Sequence, residues 1–169
     1  MRFLIILCFI MLFFSPHSAH ALTNETNRDV LSYLPDFVKT PEGGISWDLF
    51  TTTKEITESG KDAQGMDYEI MVPGFSKEMK ALNGQTIVMQ GYMFPLEAEE
   101  TQGLFLFGPF PLSCPYHYHV GPAMVIEVHA KEPIAFSYEP VNIRGRLELI
   151  PKDIETETFY RLHDAVEIR

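Results

Sequence analysis

The sequence predicts a mainly β protein: a small antiparallel OB-like barrel or sandwich, with irregular and short-helical segments at the N-terminal side. Two observations carry this reading. From Thr86 onward, apolar and polar residues alternate in short runs, the period-2 pattern of half-buried strands, and turn residues separate the runs. Gly91 also interrupts the first of these runs, where a strongly coiled barrel wall needs a bend.

The first residues read as a leader. Met1-Arg2 is a basic start, Phe3 to Phe14 is an apolar run of twelve residues, and Ala19-His20-Ala21 is a small-residue cleavage site. The run is too short to span a membrane comfortably. The expected organisation is therefore a signal peptide over 1–21 and a single exported domain over 22–169, with the β core at about 86–169. The expected location is periplasmic or secreted, with no membrane insertion after cleavage. Loss of Arg2 leaves 12 basic against 23 acidic side chains, a net charge of −11. Such a surface repels nucleic acid and anionic lipid.

Along the chain, Asn27 to Phe37 reads as a short helix that Pro35 ends, and Pro41 to Gly44 as a turn. Trp47, the only tryptophan, is expected to pack on the core edge, with Asp48 capping a short turn. Thr51 to Gly65 is a solvated connection with a weak strand at Thr53–Thr57. Tyr68 to Val72 is a short strand, and Pro73-Gly74 a turn. Ser76 to Leu82 is one or two helical turns closed by Asn83-Gly84. Thr86 to Leu96 and Leu104 to Phe107 are strands. Over Ala123 to Ala130, Met124, Ile126 and Val128 face one way, and Val125, Glu127 and His129 the other. Ile143, Gly145, Leu147 and Leu149 point inward; so do Tyr160, Leu162, Val166 and Ile168, with Arg161, His163 and Glu167 opposite.

Chemistry concentrates in one loop, Phe110 to Pro122. Cys8 leaves with the leader, so Cys114 is the only cysteine of the exported chain and cannot form an intrachain disulfide. His117 and His119 follow it, and Pro111, Pro115 and Pro122 bracket the segment. In an extended stretch His117 and His119 point to one side, and a turn at Pro115 brings Cys114 to them. Thiolate and two imidazoles suit zinc, with a fourth position left for water, a carboxylate or a partner. They also suit copper, to which Met124 can add a thioether. Three other readings stand beside it: a buried thiol in a non-catalytic structural or interaction module, a redox thiol, and a thiol hydrolase. The redox reading lacks a resolving cysteine, and the hydrolase lacks an oxyanion hole and an orienting carboxylate at recognisable spacing. No catalytic residue is assigned, and the reading is of a non-enzymatic protein. His129 and His163 fall on outward faces. Glu97, Glu99 and Glu100 form a solvated acidic run that matters only if it lies beside the Cys-His loop.

The runs Ile45-Ser46-Trp47-Asp48-Leu49, Leu82-Asn83-Gly84-Gln85 and Gly91-Tyr92-Met93-Phe94-Pro95-Leu96-Glu97, with Leu104-Phe105-Leu106 and Cys114, resemble a family of exported bacterial proteins, DUF3299, over roughly Ile45 to Arg169. The resemblance implies a periplasmic or lipid-anchored location and an association with ABC-type export or metal-uptake systems. It also implies a cysteine and histidine before a proline-rich tract. Here Cys114, His117 and His119 fill that place, and the tract is reduced to Gly121-Pro122. The expected function is a periplasmic metal-binding accessory protein, zinc first and copper second, working with an ABC-type transporter or another envelope protein.

Overall fold

The computed structural model describes residues 31–61, 63–112 and 120–168. Its elements are α1 (Leu34–Phe37), α2 (Trp47–Phe50), β1 (Lys54–Lys61), β2 (Asp67–Gly74), α3 (Lys77–Ala81), β3 (Thr86–Pro95) and β4 (Thr101–Gly108), then a 3-10 turn at Pro122–Met124, β5 (Ile126–Ala135), β6 (Val141–Leu149) and β7 (Tyr160–Ile168). β1 and β2 form a separate two-stranded sheet. The other five strands close into a barrel in the order β3-β4-β5-β7-β6. The barrel alternative of the sequence reading therefore holds, and the sandwich does not.

The barrel is mixed where an antiparallel one was expected. Four seams are antiparallel, but β5 and β7 run parallel. The reason is parity: in a closed ring with an odd number of strands, direction cannot alternate all the way round. One seam must be parallel, and here it falls between β5 and β7.

β3 closes the ring. Its first part, Thr86 to Gly91, pairs with β6; its last part, Tyr92 to Pro95, pairs with β4. Gly91 stands at the hand-over. A Cβ there would meet Cζ of Phe107 at 2.7 Å and the Gly108 carbonyl at 2.8 Å. Lack of a side chain at this position is what lets β3 and β4 approach.

The core follows the alternation. Ile87, Met89, Phe105, Phe107, Ile126, Val128, Ile143, Leu147, Tyr160 and Leu162 fill the barrel. β7 departs from the expected pattern. Asp164 has φ 52° and is exposed, while Ala165 is buried and Val166 and Ile168 are only partly so. Both neighbouring strands shift register here, since β7 spends three residues where β5 and β6 spend two. A bulge thus re-aims the second half of the strand.

The N-terminal segments pack onto the barrel. The Phe50 ring lies 4.8 Å from that of Tyr160, and Trp47 donates its indole N–H to the Gln90 carbonyl at 2.7 Å. Four local expectations need correction. Pro35 lies in the first turn of α1 and does not end it, because that position leaves its backbone nitrogen unbonded in any case. Ser46, not Asp48, caps α2: its hydroxyl oxygen accepts from the Asp48 N–H at 3.1 Å. The weak strand expected near Thr53–Thr57 is a full eight-residue strand, and Pro73-Gly74 completes β2 instead of turning. Ser76 caps α3, which ends before Gly84 at φ 78°, as expected.

Gly91→Ala is expected to lower stability by about 2 kcal/mol through overpacking against Phe107. Urea unfolding measures this, and a change under about 0.5 kcal/mol, the range of neutral surface substitutions, would remove the close approach as its reason.

Candidate functional site

Cys114, His117 and His119 lie outside the described residues. The structure does define both roots of their loop. On the outgoing side, β4 ends at Gly108, and Phe110 is buried with its ring edge-on to Phe37 at 5.3 Å. On the returning side, Val120 packs partly against the core, and Ala123 and Met124 are buried within it. Met124 is thus a core side chain, buried with Ile126 and Val128 of the same face.

Glu55 on β1 locks the returning root. Its Oε1 accepts from the Ala123 N–H at 3.1 Å, and its carboxyl lies against Gly121 where any Cβ would collide with it. A neighbouring tie holds β1 itself. The buried Tyr160 hydroxyl donates to Oγ1 of Thr53 at 2.7 Å. Burial pushes the Tyr160 phenol up to about 12; the Thr53 bond opposes this, and the Glu55 charge adds to it.

A second polar group lies on the outer face of the parallel seam. Pairing sets Arg161 between Glu127 of β5 and Glu148 of β6. Oε1 of Glu127 accepts from Nε of Arg161 at 2.6 Å and contacts Nε2 of His129 at 2.6 Å. Nε2 of His163 meets Oε2 of Glu148 at 2.5 Å. The two imidazole rings stand 5.6 Å apart. Asp153, in the β6–β7 loop, lies 3.8 Å from the Arg161 guanidinium. Burial raises the Glu127 carboxyl, but hydrogen bonds from His129 and Arg161, with their charges, outweigh it and leave it below the ordinary value. Its hydrogen bond to Glu127 holds the Arg161 guanidinium above its own. Each histidine spends one ring nitrogen on a carboxylate, so the group acts as a clasp across β5, β7 and β6. Among the described residues, no three His, Cys, Asp or Glu side chains are arranged to hold a metal ion.

The outward placement read for His129 and His163 holds. Their closeness was not legible, because it depends on which strands neighbour each other. The acidic run is resolved differently. Glu97, Glu99 and Glu100 turn the chain from β3 into β4, at the end of β4 opposite to the Cys-His loop. The buried Gln102 amide organises them, donating to the Glu99 carbonyl at 2.6 Å and the Glu97 carbonyl at 3.2 Å. Sequence reasoning passed over Gln102, Glu55 and Thr53. A buried polar side chain in an apolar strand gives no periodic signal beyond a single break.

The DUF3299 family, described as a protein of unknown function, matches residues 44–166. A DUF3299 family protein from Pseudomonas aeruginosa PAO1, solved by crystallography, is 22% identical with a TM-score of 0.41, over 53% of this chain and 65% of that one. The chain spans just under two thirds of that protein's length. No curated protein matches.

Two outcomes follow from these contacts. Because the Glu127 carboxyl is depressed in the fold, the stability it contributes is present above its ordinary 4.5 and is lost as pH falls through the lower folded value. Glu127→Gln should flatten the acid limb of stability against pH in urea titrations. The raised Tyr160 has the opposite sign: its contribution is whole below pH 10 and fades as pH climbs toward 12. Tyr160→Phe should cost about 1 kcal/mol, one buried hydrogen bond, and remove the latest phase of phenolate absorbance in the native titration.

Proposed function

The chain belongs to the DUF3299 family, whose function is unknown, and from that premise we propose a metal-binding accessory protein of the bacterial envelope. The observation that carries this reading is the pairing of donors with anchorage. Cys114, His117 and His119 fall within a short proline-bracketed loop. Both roots of that loop are anchored, through buried Phe110 on one side and, on the other, through buried Ala123 and Met124 and the bond from Ala123 to Glu55 of β1. Donors on fixed roots lose less entropy on binding than donors on a free tail. Zinc is the first metal and copper the second, on the strength of the sulfur and nitrogen donor set.

The leader-like start supports action in the periplasm, and the family resemblance supports an ABC-type transporter or another envelope protein as partner. The acidic surface, with a formal charge of −10 for the full chain, favours cations around the loop. Binding requires thiolate and neutral imidazoles, so zinc affinity falls as pH drops.

Zinc titration of the chain, expressed with its leader and purified after export, tests the assignment beside Cys114→Ser and His117→Ala. Each substitution removes a ligand, so affinity should fall by at least about 100-fold, the upper end of what mere supporting groups cost. Micromolar or tighter binding that persists in both variants sinks the site.

A further inference from the structure

The β1–β2 hairpin stands outside the barrel as its own two-stranded sheet. β1 pairs with β2 along Lys54–Lys61. Among the described residues, the outer edge of β1 makes no backbone hydrogen bond to another segment. Such an edge is a row of donors and acceptors that another strand can extend. A hairpin alone is marginal in water. β2 is supported by burial of Ile70 and by Glu157, which accepts from the Met71 N–H at 2.9 Å. β1 buries none of its eight residues, and Ile56 at its middle is 47% exposed.

The side chains along one face of β1 run Lys54, Ile56, Glu58. That order is complementary to itself. A two-fold axis at Ile56 sets two such strands antiparallel, with Lys54 opposite Glu58 at both ends and Ile56 opposite Ile56 at the centre. On the other face Glu55 meets Thr57. Opposite charges and apolar pairs directly across an antiparallel seam are stabilising. A slip of one residue in either direction loses both charge pairs. Glu58 holds Lys152 of the β6–β7 loop in the single chain, so a second lysine would share an oriented carboxylate.

We infer that β1 is a dimerisation edge whose occupant is β1 of a second copy, giving a four-stranded sheet β2-β1-β1-β2 with closed two-fold symmetry. Sedimentation equilibrium across a concentration series, on the chain purified after export, measures it. The expected result is a reversible monomer–dimer equilibrium. Lys54→Glu and Glu58→Lys should each be monomeric where the parent chain is dimeric, because each sets like charges opposite. An equimolar mixture of the two variants restores both opposite-charge pairs and should recover a dimer. That recovery also separates the interface from any loss of folding in Glu58→Lys through Lys152. A parent chain that is monomeric at every concentration overturns the proposal. So does a dimer that survives either substitution, a mixture that stays monomeric, or a β1-dependent complex with a different protein in place of the dimer.

Discussion

The barrel depends on β3 pairing with two neighbours in succession. β3 passes from β6 to β4 at Gly91, where its backbone lies close against the Phe107 ring and the Gly108 carbonyl. Glycine at position 91 makes room. The same strand supplies the Gln90 carbonyl that receives the Trp47 indole, so β3 also sets where the N-terminal segments dock.

Closure with five strands carries a further consequence. An odd ring needs a parallel seam, and the seam between β5 and β7 brings together residues more than thirty positions apart. Glu127 and Arg161 meet there, His129 and His163 stand side by side, and Glu148 completes the row from β6. Parallel pairing is slightly weaker per residue than antiparallel pairing. A ladder of charge-assisted hydrogen bonds on its outer face is a direct compensation. The bulge at Asp164 belongs to the same seam, since it adjusts β7 to both neighbours at once.

The rest of the molecule places two features at the barrel's margin. One is the loop between β4 and β5, whose roots are packed or hydrogen-bonded. The other is the β1–β2 hairpin, whose outer strand is almost wholly solvated. Glu55 connects them, because it lies on β1 and accepts from the backbone at the loop's returning root. A change in what covers β1 would therefore bear on the loop through one carboxylate. That link makes the hairpin more than a spacer between α2 and α3.

The sequence by itself determined the mainly β class and the strand faces outside the second half of β7, and it marked Gly91 as a special position of β3. Alternation and glycine placement are local signals, set by backbone geometry within one segment. It also singled out Cys114, His117 and His119 as a donor set, from residue type and spacing alone. It missed the length of β1, because a strand solvated on both faces lacks the apolar alternation that marks one. It misjudged Pro35 and Val166 for related reasons: a first helical turn and a bulge depend on what lies beyond the segment. Only the tertiary structure decided that the sheet is a closed ring with a parallel seam. Which residues then face one another across strands follows from closure and parity, properties of the whole ring that no single segment contains.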